Sequence, residues 1–109
     1  MTLGDKQRRF VELIGKLIEW AYANGYELTF AEAYRTPEQA ALNAKSGSGV
    51  VSSLHTRRLA IDLNLFKDGV FLTTSEAHRP LGDYWKTLDP EARWGGDFTK
   101  PDGNHYSFT

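Results

Sequence analysis

Ser53-Leu54-His55-Thr56-Arg57-Arg58-Leu59-Ala60-Ile61-Asp62, continued by Leu63-Asn64-Leu65-Phe66, carries a fold signal and a chemical one. From Leu59 onward apolar and polar residues alternate. Successive side chains of a strand point to opposite faces, so Ile61, Leu63 and Leu65 share one face and Ala60, Asp62 and Asn64 the other. A strand over residues 59–66 is predicted, with Asp62 projecting away from the aliphatic side. His55 sits in the loop that feeds this strand. Towards the C-terminus, Asp102-Gly103-Asn104-His105 leads into a final strand, with His105 and Ser107 opposite Tyr106 and Phe108. Were the two strands neighbours, Asp62 and His105 would meet on one sheet face, with His55 arriving from the loop.

Two imidazoles and one carboxylate make the donor set of a catalytic zinc. A structural zinc is closed by four protein ligands, whereas three leave a position for water. Asp102, three residues ahead of His105, then suits a general base. A lone His or Asp in a strand is more often a hydrogen-bonded surface group, and only the combination points to metal.

Working outward, residues 5–24 carry Phe10, Leu13, Ile14, Leu17, Ile18 and Ala21 at helical spacing, with Gly25 as the stop. The mixed charges of its polar face favour a core-packed helix over one lying on a membrane. Residues 26–34 alternate as a strand. Thr36-Pro37-Glu38-Gln39 opens a second helix running to about residue 45, with Thr36 at the N-cap, Pro37 at N1 and Gln39 completing a capping box. Residues 46–49, Ser-Gly-Ser-Gly, read as a flexible loop. Lys67-Asp68-Gly69 reads as a hairpin turn into residues 70–73, and a third helix begins near Arg79 or Pro80 and stops before Pro90. Residues 94–98 read as loop before the last strand. The expected architecture is α+β: one small domain over residues 1–109, an antiparallel sheet with helices packed on one side, and the zinc site on the concave sheet face.

Composition narrows the function. With 109 residues, a net charge of −1 and no cysteine, the chain has no electrostatic case for nucleic acid and no thiolate chemistry. Glu12, Lys16 and Glu19 interrupt any secretion signal, and no apolar run approaches the ~20 residues that cross a bilayer. No membrane association is expected, and the expected setting is a cytoplasm until another factor releases the protein.

Ser53-x-His55-x-x-Arg58-x-Ala60-x-Asp62 resembles the Ser-x-His-x-x-Gly-x-Ala-x-Asp signature of the zinc peptidases that include D-alanyl-D-alanine carboxypeptidases and dipeptidases and the L-alanyl-D-glutamate endopeptidases of phage endolysins. Asp102-x-x-His105 is similar to that family's second motif, Tyr34-Arg35-Thr36-x-x-x-Gln39 to its Arg-containing segment, and Trp94-Gly95-Gly96-Asp97-Phe98 to a loop of the endolysin branch. The resemblance spans about residues 30–109. It implies Zn2+ held by His55, Asp62 and His105, with Asp102 as catalytic base. It also implies Arg35 as oxyanion donor or substrate-carboxylate clamp, and Ser53 and Trp94 as substrate-side residues. Bland alternatives stand beside these: Arg35 pairing with Glu38, Ser53 capping a turn, Trp94 walling the cleft by packing, Asp97 bonding within its loop, and His78 as a plain surface histidine. Arg58 departs from the usual Gly and must either take an ordinary conformation or bear the cost of positive φ.

The implied activity is hydrolysis of a peptidoglycan stem peptide, foremost at the L-alanyl-D-glutamate bond, by a monomer in a phage lysis setting with release by a holin-like factor. The alternatives are a D-alanyl-D-alanine carboxypeptidase or dipeptidase, and a non-catalytic zinc-stabilised binding module, which would have no need of Asp102.

Overall fold

A computed structural model describes residues 1–47 and 53–109. Helix α1 (Leu3–Ala23) starts two residues earlier than the apolar stripe predicts, because Thr2 and Asp5 form a capping box. Asn24 and then Gly25, at φ 84°, end it. Its Leu13 and Leu17 are fully buried. Strand β1 (Tyr26–Phe30) is shorter than the alternation suggested. Beyond it the chain still runs beside the next strand: the Ala31 N–H donates to the Asp62 carbonyl, and the Asp62 N–H to the Glu32 carbonyl at 2.7 Å.

Helix α2 (Pro37–Lys45) follows the Thr36 cap as expected, and the Thr36 hydroxyl accepts from the Gln39 N–H. The reciprocal half of the capping box does not form, since the Gln39 amide turns forward to Asn43. The flexible loop expected over residues 46–49 lies partly outside the described residues. Strand β2 (Ala60–Lys67) turns through Asp68 (φ 52°) and Gly69 (φ 76°) into β3 (Val70–Leu72). Two successive left-handed residues give the twist a tight hairpin needs. Helix α3 (Arg79–Thr87) is preceded by a single 3-10 turn, Glu76–His78. Strand β4 (Ala92–Trp94), read from sequence as loop, precedes β5 (His105–Phe108). Three residues are too few for alternation to register.

The sheet is wholly antiparallel, in the order β1-β2-β5-β4, with β3 sharing the β5 edge of β2. Helices α1 and α3 cover one face. Ile61, Leu63, Leu65, Tyr106 and Phe108 point into that layer against Leu13, Leu17, Leu81 and Trp85. Phe10 and Tyr106 each meet the Trp85 ring edge-on, at 5.9 and 6.2 Å between centroids. Removing the Trp85 side chain would cost about 3–5 kcal/mol, as for other buried large-to-Ala changes. The opposite face of β2 and β5 is thereby left for other work. Among the described residues, no helix is long and apolar enough to cross a membrane.

Candidate metal centre

Strands β2 and β5 are neighbours, and their register sets Asp62 directly opposite His105. Both side chains leave the face away from the helices. Asp62 Oδ1 lies 3.2 Å from His105 Nδ1 and 3.3 Å from His55 Nε2. His55 reaches them from a 3-10 turn, Leu54–Arg57, whose first backbone group is held by Ser53: its Oγ accepts from the His55 N–H at 3.2 Å. One ligand atom from each of the three residues falls within 4.8 Å of the others. Two nitrogens and a carboxylate oxygen so disposed suit one small divalent cation, and the set is that of an open zinc site.

The surroundings organise the three donors. His55 Nδ1 lies 2.9 Å from the Ala33 carbonyl oxygen. A proton on that nitrogen, donated to the carbonyl, leaves Nε2 free to face Asp62, the usual outer contact of a metal-binding imidazole. Burial alone would lower the His55 pKa, but hydrogen bonds to Asp62 and Ala33 outweigh it and raise the value. Burial likewise opposes ionisation of Asp62, yet the hydrogen bonds from His105 and His55 hold its carboxyl down to about 2. Asp102 keeps an open side to solvent. The protein around it, and next the negative charge of Asp62, push its pKa above the ordinary carboxylate value, as suits a group that accepts and returns a proton.

Asp102 is placed by a tightly fitted loop. Its N–H donates to the Gly95 carbonyl, and its own carbonyl accepts from the His105 N–H at 3.0 Å. The Gly103 N–H donates to Ser75 Oγ at 2.9 Å. A Cβ on Gly95 would stand 2.1 Å from the Asp102 carbonyl oxygen, and one on Gly103 2.4 Å from Ser75 Cα. Glycine is required at both places by close approach.

Several expectations are corrected. Trp94 is 1 % exposed and has no surface to offer a substrate; its indole N–H donates to the Gly103 carbonyl at 2.7 Å, so it supports the Asp102 loop from beneath. The exposed aromatic of that motif is Phe98, whose ring lies 5.4 Å from that of His105. Arg35 pairs with Glu32 rather than with Glu38, and its backbone N–H donates to the His55 carbonyl. His78 is buried and hydrogen-bonded to the Tyr106 hydroxyl at 2.9 Å, not a surface residue. Asp97 bonds Lys86 Nζ at 2.8 Å. Arg58 does take the left-handed conformation, at φ 57°, with its guanidinium 4.0 Å over the Tyr34 ring. That contact offsets part of a strain of about 1–2 kcal/mol. Glu32 escaped the sequence reading altogether. It bonds Arg35, and its Oε1 lies 3.9 Å from His55 Nδ1; its one signal was the spacing Glu32-x-x-Arg35.

Residues 46–108 match the family model described as D-alanyl-D-alanine carboxypeptidase. The chain belongs to that family. It is therefore a peptidase, and its fold agrees with the assignment. The L-Ala D-Glu endopeptidase ChiX of Serratia marcescens has a similar fold, with a TM-score of 0.78 at 19 % identity, over 97 % of this chain and 85 % of that one. A variant of the vancomycin-resistance D,D-pentapeptidase VanY from a VanB-type cassette, in complex with Zn(II), gives 0.60 at 22 % identity over 92 % and 70 %. The VanYB complex with D-alanine-D-alanine gives 0.57 at 22 % identity over 92 % and 69 %. No curated protein sequence matches significantly. In this chain the His-and-Asp cluster lies on an antiparallel sheet, with Arg58 left-handed at the turn before β2.

Proposed function

We propose that this protein is a zinc peptidase of the bacterial cell wall that cuts the stem peptide of peptidoglycan at the L-alanyl-D-glutamate bond, in the manner of a phage endolysin. The observation that carries this is the gathering of His55, Asp62 and His105 ligand atoms within 4.8 Å, with Asp102 beside them. His55 through Nε2, Asp62 through Oδ1 and His105 through Nδ1 would hold the ion. Zinc, when bound, supplies a Lewis acid that polarises the scissile carbonyl and acidifies water. The chain's own groups do the rest. Asp102 takes the proton of the attacking water on its carboxylate and returns it to the leaving amine. Arg35, at the His55 end of the cluster, supplies a guanidinium for the developing oxyanion or for a carboxylate of the substrate. Ser53 fixes the turn that presents His55, and Phe98 walls the His105 side.

The loop Trp94-Gly95-Gly96-Asp97-Phe98 and the use of Asp as base support the endolysin-like choice of bond. A D-alanyl-D-alanine carboxypeptidase is the second reading, favoured by the description of the matching family. Digestion of purified cell walls, with mass spectrometry of the new termini, separates them: new D-glutamate amino termini support the endopeptidase, and free D-alanine the carboxypeptidase. In the proposed setting the protein acts as a monomer, with residues 1–109 as its catalytic domain, and reaches the wall when another factor opens the host membrane.

A further inference from the structure

Arg35 carries its guanidinium on a long stem with several rotatable bonds, so its backbone position alone does not fix where that charge lies. Glu32 fixes it. Both Nε and Nη2 of Arg35 donate to Glu32 Oε1, the first at 2.9 Å. That same oxygen lies 3.9 Å from His55 Nδ1, so the guanidinium is anchored beside a candidate metal ligand. A guanidinium presents its N–H donors as a planar fork. Glu32 takes the edge formed by Nε and Nη2. The Nη1 group and the outer hydrogen of Nη2 have no partner among the described residues, and they form the edge that matches an oxyanion or a carboxylate.

Glu32 is itself held. Its carbonyl accepts from the Asp62 N–H at 2.7 Å, and the Arg35 N–H donates to the His55 carbonyl at 3.1 Å. Between them, the Ala33 carbonyl oxygen lies 2.9 Å from His55 Nδ1. Residues 32–35 are thus laced to Asp62 and His55, two of the three candidate donors. The Glu32 carboxylate therefore stands at a set place relative to the metal centre, and so does the guanidinium bonded to it. The Arg35 side chain is 15 % exposed and that of Glu32 38 %, which shelters the pair enough to give it one geometry. An ion pair with a half-exposed partner adds little to folding, so its effect belongs in the kinetics.

We propose that Glu32 is a positioning residue for the reaction: its carboxylate orients the Arg35 guanidinium so that the Nη1 edge meets the substrate at the His55 end of the metal centre. Glu32 touches no substrate and acts only through Arg35. A donor oriented in advance spares the reaction the cost of ordering it. The assignment rests on the role given to Arg35 in the proposed function, and it holds for either stem-peptide bond.

A double-mutant cycle on zinc-loaded protein tests it, with a soluble muramoyl pentapeptide that carries both candidate bonds as substrate. Glu32→Ala, Arg35→Ala and the double variant are compared with wild type in kcat, KM, zinc content and Tm. Glu32→Ala should lose about tenfold in kcat/KM, the scale of one hydrogen bond to a charged group. The loss should fall on the same constant, kcat or KM, that Arg35→Ala moves, with zinc content and Tm near wild type. Glu32→Gln, which keeps an acceptor oxygen, should recover part of the loss. In the Arg35→Ala background, Glu32→Ala should cost no more than about a further twofold. Losses that multiply in the double variant, an active Glu32→Ala, or a Glu32→Ala that sheds zinc would each overturn the assignment while leaving Arg35 in place. A fully active Arg35→Ala would remove Arg35 from the reaction, and Glu32 with it. If the peptide binds without being cut, the peptidase reading has failed, and the same cycle is read in Kd.

Discussion

Asp102 has a carboxyl pushed up by its surroundings, is held by backbone bonds to Gly95 and His105, and lies outside the His–Asp–His set. Asp102→Asn keeps the shape and removes the proton acceptor. Turnover should fall by at least about 100-fold while metal analysis still finds close to one zinc per chain, and full activity in that variant would remove Asp102 from its role. Ser107, on the same strand face as His105, is buried with a hydroxyl that has no partner among the described residues. A buried unsatisfied hydroxyl is a liability, so Ser107→Ala should leave the denaturation midpoint unchanged or raise it by up to about 1 kcal/mol equivalent. The metal-ligand candidates were legible at this scale, because alternation along β2 and β5 dictates where Asp62 and His105 point. Trp94 and His78 were not. Their burial is decided by Gly82, Gly96 and Tyr106, residues far from them in the local pattern or blind to it.

Among the elements, the join between β4 and β5 matters most for function, since the three-residue strand and the turn after it bring Gly95 against the Asp102 backbone. Gly95→Ala places a methyl group 2.1 Å from the Asp102 carbonyl oxygen and 2.8 Å from His105 Cβ, so the loop must move. A stability loss of about 1–3 kcal/mol is expected, as for other forced overpacking, together with a drop in kcat larger than any change in zinc content. Thermal unfolding and kinetics on the same sample check it; a variant with native kcat would show that the contact does not position the base. The long periodic elements, α1 and β2, were legible to within a few residues, and so was the Asp68-Gly69 turn, because each repeats or punctuates a pattern in one stretch of chain. The shortness of β4 and the early end of β1 were not, for strand pairing with β5 and β2 defines them.

For the molecule as a whole, pH and metal act on the same fold. His78 has its pKa lowered to about 4 by burial, against 6.5 when free, so the fold excludes the charged form. Stability from this group is complete above pH 6.5 and is lost progressively as pH falls towards 4, because only the unfolded chain takes the proton in that window. The loss should total about 3 kcal/mol. Urea unfolding of metal-free protein at pH 7 and pH 4.5 should show it, with a flatter dependence in His78→Asn; parallel curves would mean that His78 titrates normally. A metal ion held by His55, Asp62 and His105 would link the same sheet to its loops. Chelation should abolish activity and lower Tm, with both restored by zinc, and His55→Ala should make the protein indifferent to chelator, since binding to the folded state alone stabilises it. From the sequence alone came the strand faces, the amphipathic helix and the hairpin turn, all properties of residues a few positions apart, and the three candidate donors, named by residue type and motif. Only the tertiary structure decided that β2 and β5 are partners in the register that sets Asp62 against His105, that Glu32 takes Arg35, and that a cavity opens beside Asp102. Those depend on which distant segments share a surface, and that is settled by packing and hydrogen-bond pairing across the whole chain rather than by any local pattern.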